Sequence, residues 1–313
     1  MDTKNVIAAI SLSAAVIILY SLFFAPSPNE LKKIDEPKSS LSSEAPKLEE
    51  SEKIVELSRD QALKESNRVE FENQNIKGSI SLMGGTIDDL IFKNYTETLD
   101  GKNKITLLNP KKYSEGYFVE TGWVSSSKNI ELPNSNTNWK VEGNNKLTPG
   151  NPVTLVWNNN QGINFKKKIK IDEKFLFSID QIITNQSEKS YDFYAYGQII
   201  RNKSPEVTNF YILHEGLIGV LNDQLVEKDY DDIEEKEFSQ KAETGWLGIT
   251  DKYWITTLIP EKNKEFRADF NFKNKFRANF IETKPLELES NGTVSSNVRV
   301  IVAAKEVDVI DNY

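Results

Sequence analysis

The residues in the sequence best suited to acid–base catalysis are His214 and Glu215, which are adjacent in the segment YILHEG. A histidine and a carboxylate that converge on a substrate can serve as general acid and general base. Neighbouring residues of a strand point to opposite faces, so we do not expect these two side chains to act together. His214 is the single histidine and the sequence has no cysteine. This composition excludes a multi-histidine metal cluster, a cysteine–zinc site and a thiol nucleophile.

Sequence motifs for nucleotide, metal or acyl chemistry are absent. Gly84 and Gly85 precede Thr86 and the acidic pair Asp88 and Asp89, and no helical pattern follows them. A phosphate cradle needs a helix N-terminus at that point, so the two glycines predict a turn. The formal net charge of -8 also argues against a nucleic-acid partner. We therefore expect no catalytic residue, no cofactor and no bound metal.

Three tryptophans are candidates for contacts to a ligand or partner. Trp123, Trp139 and Trp157 lie outside the strongest core patterns of the sequence. Aromatic rings that converge with polar groups in a cleft are typical of carbohydrate or peptide sites. The three residues therefore support the hypothesis of a binding cleft.

The densest apolar stretch after the N-terminal region is GWLGITDKYWITTLIP, residues 245–260. It predicts two short strands, 245–250 and 253–259, that meet at Asp251 and Lys252. Both faces of the second strand are largely apolar, which is typical of a central strand covered on both sides. The interpretation as core is favoured, and a cleft wall remains open. A segment that dips into a membrane is disfavoured, because no basic flank accompanies the stretch in the sequence.

Apolar and polar residues alternate with a period of two along most of the sequence after residue 66. The clearest runs are residues 166–171, 175–183, 191–200, 266–282 and 292–306, and Asn274 stands where a turn would divide the fourth run. No helical pattern of comparable length interrupts them. We therefore predict an all-β domain over residues 67–306, a large sandwich of about fifteen strands or more.

The N-terminal region predicts a membrane anchor. Residues 6–24 carry no charge, and a helix of that length spans roughly 28 Å, close to the hydrocarbon thickness of a bilayer. The run exceeds the apolar part of a cleaved signal peptide, which is the rival interpretation. Residues 26–66 are rich in Pro, Ser, Glu and Lys, and predict a disordered linker with a possible short helix that includes Ile54 and Leu57. The charges near the anchor do not decide its orientation.

Four segments resemble one protein family. Residues 1–20, 69–95, 245–260 and 298–306 are similar to the bacterial membrane protein insertases of the YidC family. The resemblance implies an inner-membrane protein with a cytoplasmic N-terminus and a periplasmic super-β-sandwich, similar to that of galactose mutarotases. It also implies that the motif residues form family core rather than a catalytic site; these are Gly84, Gly85, Asp89, Gly245, Trp246, Tyr253 and Trp254.

The family inserts and folds inner-membrane proteins, alone or beside the Sec translocon, and uses no cofactor. By resemblance, the expected partners are nascent inner-membrane proteins, Sec translocon components and the lipid bilayer around residues 6–24. Members of the family continue into a bundle of membrane helices, so we expect this chain to be the N-terminal portion, with residues 307–313 starting the connection. By itself it should not insert proteins. The alternative hypothesis is a membrane-anchored periplasmic domain that binds a carbohydrate or a peptide.

Overall fold

The computed structural model describes residues 56–98, 101–205 and 214–306. The predicted anchor at residues 1–25 and the predicted connection at residues 307–313 lie outside these ranges. Within them, no helix has both the length and the apolar character needed to cross a bilayer.

The described residues form twenty strands and two short helices. In chain order they are α1 (Arg59–Leu63), β1 (Arg68–Glu72), β2 (Ile76–Ser81), β3 (Thr86–Thr96), β4 (Lys104–Leu108), β5 (Tyr117–Ser125), β6 (Lys140–Glu142), β7 (Lys146–Leu147), β8 (Val153–Asn158), β9 (Ile163–Ile171), β10 (Leu176–Asn185), β11 (Tyr191–Arg201), β12 (Gly216–Leu221), β13 (Gln224–Asp229), α2 (Tyr230–Glu235), β14 (Phe238–Ala242), β15 (Gly245–Thr250), β16 (Trp254–Ile259), β17 (Phe266–Phe272), β18 (Phe276–Glu282), β19 (Leu286–Leu288) and β20 (Thr293–Ala304). The prediction of an all-β fold is confirmed.

The strands build two sheets that pack face to face. The larger sheet has eleven strands, with the path β14-β17-β18-β11-β5-β3-β2-β1-β7 and with β4 and β19 attached beside it. The smaller sheet has nine strands in the order β13-β12-β15-β16-β20-β10-β9-β8-β6. One continuous apolar core takes side chains from both sheets. The last strand, β20, lies in the middle of the smaller sheet, between β16 and β10.

Alternation along the strands explains the core. In β9 and β10 every second residue is buried, and the intervening lysines and polar residues lie on the other face. Phe177 of β10 meets Phe71 of β1 edge to face across the two sheets, with ring centroids 5.1 Å apart. The predicted turn at Asn274 is present between β17 and β18, and Asn274 has a positive φ of 61°. Asparagine tolerates that left-handed conformation better than other non-glycine residues.

Helix α1 lies in the last part of the predicted linker, where the sequence left a short helix open. Ser58 caps helix α1 by accepting a hydrogen bond from the backbone N–H of Gln61. The Arg59 guanidinium pairs with Asp89 of β3 and also donates to the Asn109 side chain at 2.8 Å. These contacts hold α1 on the larger sheet. The composition of the linker did not reveal them, because the partners lie about thirty and fifty residues further along the chain.

The stretch 245–260 forms β15 and β16, as expected. Trp254 stacks on Phe92 of the larger sheet, with ring centroids 4.8 Å apart, so it belongs to the core. Trp246 is half-buried on the opposite face of the smaller sheet. Tyr253 differs from the expectation: it lies in the turn between the two strands, and its side chain is 57% exposed. The turn lies at the ends of the two strands, where the ring is open to solvent.

Candidate functional site

The structure places the three candidate tryptophans apart. Trp123 of β5 points into the core and meets Phe193 edge to face at 6.2 Å. Trp157 of β8 is half-buried against Phe165, with centroids 5.6 Å apart. Trp139, the residue directly before β6, is buried. Among the described residues, no ring contact joins any two of the three, and of the three only Trp139 lines the pocket described next.

Trp139 instead forms a small polar pocket with Lys167. The Lys167 ammonium lies 5.0 Å from the centre of the Trp139 ring, which is a cation–π contact. It donates hydrogen bonds to the backbone oxygens of Thr121 at 2.6 Å and Gly84 at 3.4 Å. Burial lowers the pKa of Lys167 to about 8, and the nearby Glu120 carboxylate opposes that shift. The pocket therefore holds a buried amine that loses its proton more easily than an ordinary lysine.

The turn between β2 and β3 closes one side of the pocket. Gly84 and Gly85 both have positive φ, 78° and 63°. A side chain at Gly85 would place its Cβ 3.3 Å from both the Lys167 ammonium nitrogen and the Trp139 indole nitrogen. A side chain there would be strained by the positive φ and would crowd both Lys167 and Trp139, so glycine suits this position.

Polar groups from the larger sheet complete the pocket. Glu120 of β5 accepts a hydrogen bond from the Gln198 amide of β11 at 2.8 Å. Tyr196 also lines the pocket, and burial raises the pKa of its hydroxyl well above the ordinary value. The Trp139 indole N–H and the Gln198 side-chain oxygen are buried without a hydrogen-bond partner. Trp139 lines the pocket whereas Gln198 does not, so the indole N–H is the unpaired donor that the site offers to a small polar group.

Sequence reasoning missed Lys167 and Glu120. Lys167 is one of three consecutive lysines, a run that is typical of a solvated face. The alternation of β9 contains the only signal, because Lys167 takes the inward phase shared by Phe165 and Ile169. Trp139, its partner, lies 28 residues away in the sequence, where no local pattern links the two.

His214 and Glu215 make separate contacts, as the sequence predicts. A His214 ring nitrogen lies 3.2 Å from the Asp229 carboxylate, and the other lies 3.1 Å from the backbone oxygen of Leu217. The Glu215 carboxylate accepts a hydrogen bond from the backbone N–H of Lys252 at 3.0 Å. The two side chains therefore do not form one acid–base pair.

Comparison with solved structures supports the fold assignment. A galactose mutarotase related enzyme from Lactobacillus acidophilus has a TM-score of 0.51 at 11% identity, over 78% of this chain and 99% of that one. A galactose mutarotase-like protein from Lactobacillus casei also has a TM-score of 0.51, at 10% identity, over 76% of this chain and 100% of the other. At such low identity the likeness shows the fold alone.

Sequence comparison gives a closer relationship. The family described as the YidC periplasmic domain matches residues 68–313. A membrane protein insertase YidC of Pelagibacter ubique is 54% identical over 315 residues, which cover 100% of this chain and 56% of the relative. One of Rickettsia canadensis is 34% identical over 325 residues, covering 100% of this chain and 57% of the relative. The chain thus spans little more than half the length of these relatives, and it belongs to the family of the YidC periplasmic domain.

Proposed function

We propose that the chain is the N-terminal part of a membrane protein insertase that helps to insert and fold inner-membrane proteins, alone or with the Sec translocon. The observation that carries the proposal is the 54% identity to the Pelagibacter insertase along the whole chain. In this proposal, residues 1–25 anchor the chain in the inner membrane with the N-terminus in the cytoplasm. Residues 26–66 link the anchor to the periplasmic domain of residues 67–306, and residues 307–313 begin the connection to the membrane part.

The periplasmic domain acts in this proposal as a binding and positioning module, not as an enzyme. Support comes from the relatives, which are named membrane protein insertases and align with the whole of this chain. The partners are nascent inner-membrane proteins and components of the Sec translocon.

Membrane topology is tested first. Because the sequence has no cysteine, the Tyr253→Cys variant of the full chain carries a single thiol at an exposed turn. A membrane-impermeant maleimide should label this thiol in intact spheroplasts. Labelling that requires membrane rupture would contradict the periplasmic placement.

Photo-crosslinking then tests the function itself. A photoreactive phenylalanine derivative replaces Tyr253 of the full chain in inner-membrane vesicles. A radiolabelled inner-membrane protein is then synthesised by translation in the presence of these vesicles. The derivative should give adducts with that protein or with Sec components. The same photoreactive derivative in place of Glu70, which is exposed on the larger sheet, is the control that reveals adducts formed regardless of position. A correctly oriented chain that forms no such adduct at either position would overturn the proposal.

The second candidate function is binding of a carbohydrate or a peptide in the periplasm. The specific observation in its favour is the unpaired indole N–H of Trp139 beside the buried Lys167. The test is a change in Trp139-dependent fluorescence on addition of monosaccharides or short peptides, compared with a Trp139→Phe variant. A signal that is equal in both proteins would reject this function for the pocket.

A further inference from the structure

The outer face of the nine-stranded sheet, which points away from the core, carries an apolar region and a basic region side by side. The apolar region comprises Val220, Leu225, Trp246 and Ile259, and the basic region comprises Lys168, Lys170 and Arg299. We call these residues together the apolar–basic face. They come from six strands that are spread over 132 positions of the sequence, from Lys168 to Arg299.

Strand register aligns these residues across the sheet. Leu225 lies opposite Val220, and Val220 lies opposite Trp246. On the other side of the β15–β16 pair, Ile259 lies opposite Arg299. Arg299 in turn faces Ser178 of β10, and Ser178 faces Lys170 of β9. With strands about 4.8 Å apart, the band from β13 to β9 spans roughly 29 Å.

The apolar region is open to solvent. Leu225 is 61% exposed, one of the two large hydrophobic side chains that are most exposed in the described part of the chain. Val220, Trp246 and Ile259 are half-buried, as are Ile218 and Ile301 in the adjacent row. Partly exposed apolar side chains that share one solvent-facing surface are typical of a surface that contacts a partner or a membrane.

The basic region gives this side of the sheet a positive charge in a protein whose net charge is -8. Five cations and two carboxylates point outward from β6, β9, β10 and β20: Lys140, Lys166, Lys168, Lys170 and Arg299 against Glu142 and Asp180. Glu142 pairs with Lys166, and Asp180 pairs with Lys170. Of the further carboxylates, Glu261 lies beside Asn297 of β20 and pairs with Lys264. Glu227 and Asp229 lie on the edge strand β13, four strands away from Arg299.

We propose that the apolar–basic face adsorbs to the surface of an anionic phospholipid bilayer. Tryptophan and aliphatic side chains beside lysine and arginine are the combination that partitions into the headgroup region and attracts anionic lipids. The sequence argued against membrane contact by the stretch 245–260 because no basic residues flank it. The structure supplies the basic flank from β20, which pairs with β16, and from β9, which lies two strands further along the sheet, beyond β10. The proposal is independent of insertion activity.

Site-specific fluorescence quenching by lipid tests the proposal. The full chain is reconstituted into vesicles of phosphatidylcholine with or without phosphatidylglycerol, and a fluorophore is attached to the single thiol of Leu225→Cys. A spin-labelled lipid serves as quencher. We expect quenching at position 225 that requires phosphatidylglycerol and weakens at high salt, because screening reduces attraction between exposed charges. The matched control is the Glu70→Cys variant, which carries the same fluorophore on the outer face of the larger sheet. Quenching at this position should stay low.

Removal of charge tests the role of the basic region. The K168Q/R299Q pair in the Leu225→Cys background should weaken adsorption by about tenfold, since each cation near the surface contributes to the attraction. Lys77 and Lys104 are exposed on the larger sheet, and K77Q/K104Q makes the same change in net charge. That control should leave the quenching at position 225 unchanged.

Three outcomes would overturn the proposal. The first is equal quenching at positions 225 and 70, and the second is quenching that does not depend on phosphatidylglycerol. The third is a fluorescence change at position 225 that follows protein concentration in vesicles without anionic lipid. This last result would identify the occupant of the face as a second protein copy. Circular dichroism of each labelled variant checks that the β fold is intact.

Discussion

The guanidinium of Arg59 lies against the carboxylate of Asp89, with 2.5 Å between Nη2 and Oδ1, and ties the chain before the first strand to the third strand of the domain. The Ser79 hydroxyl donates to the other carboxylate oxygen of Asp89 at 2.6 Å. Close by, the backbone N–H of Leu57 donates to the carbonyl of Lys112 at 2.8 Å. Asp89, expected as a family-motif residue, thus holds the segment before β1, which we call the entry segment, against the domain.

Loss of the Arg59–Asp89 pair should release this entry segment. Because both groups are largely buried from solvent, we expect Arg59→Ala to lower the free energy of unfolding by about 1–2 kcal/mol. The change is measured by urea unfolding of the full chain in detergent. Hydrogen exchange at the Leu57 amide should also accelerate. Lys64→Ala, at an exposed position of the same segment, is the control, and equal effects of the two substitutions would contradict the assignment.

The stability of the domain should rise with pH through the titration of Lys167. Burial lowers its pKa from 10.5 to about 8, so between these values the unfolded chain binds a proton that the folded chain has lost. Stability increases with pH wherever the unfolded state binds more protons. Relative to Lys167→Met, the wild-type protein should therefore gain up to about 3 kcal/mol between pH 8 and 10.5.

Thermal or urea unfolding of both proteins across that window measures this gain. The difference between wild type and variant also removes the contribution of the buried tyrosines, which titrate in both proteins. Lys168→Met is the matched substitution on the solvent face of the same strand. A pH trend that is the same for Lys167→Met and Lys168→Met would show that the buried amine is not the cause.

Gly245 should tolerate no side chain. Its φ is 127°, and a Cβ atom there would lie 1.8 Å from the backbone oxygen of Val220 on the neighbouring strand. Gly245→Ala must therefore displace β12, and we expect a loss of about 3 kcal/mol or more. Gly143 has a φ of 82° but nothing within 4 Å of its Cβ position, so Gly143→Ala should cost only about 1–2 kcal/mol. Similar unfolding midpoints for the two variants would refute this contrast.

The three aromatic residues of the 245–260 stretch should differ in their contributions to stability. Trp254 stacks on Phe92 and meets Tyr95 at 5.2 Å, so Trp254→Ala should cost about 3 kcal/mol. Trp246 contributes only a half-buried ring on the outer face, and we expect roughly half that loss. Tyr253→Ala should change stability by about 0.5 kcal/mol or less. Denaturant titration orders the three, and a Tyr253 effect equal to that of Trp254 would contradict the described burial.

Local patterns in the sequence predicted the strands well, because alternation reports which residues share a face. The runs that became β9, β10 and β17–β18 and the turn at Asn274 follow from that rule. The exposure of Tyr253 was not predictable, since it depends on where the strand ends rather than on the alternation within it. A short helix in the last part of the linker was left open by the sequence, but its contact with the larger sheet was not predictable, because the partner of Arg59 lies thirty residues away.

The pocket and the apolar–basic face escaped sequence analysis for the same physical reason. Lys167 meets Trp139, and Arg299 lies opposite Ile259, only through pairing of strands that are distant along the chain. A lone lysine or arginine in a sequence carries no sign of which strand will lie beside it. Fold class is therefore accessible from composition and period, whereas the chemistry of a β surface requires the strand order.

The central position of β20 has a consequence for synthesis of the protein. Without β20 the nine-stranded sheet is divided into a four-strand part ending at β16 and another ending at β10, because β20 alone joins them. The ribosome makes the chain from the N-terminus, so both parts must wait with open hydrogen-bonding edges until residue 304 has emerged. Such edges recruit other strands readily. The smaller sheet therefore exposes edges that are prone to aggregation from the synthesis of β10 until that of β20, and its closure is a single late event.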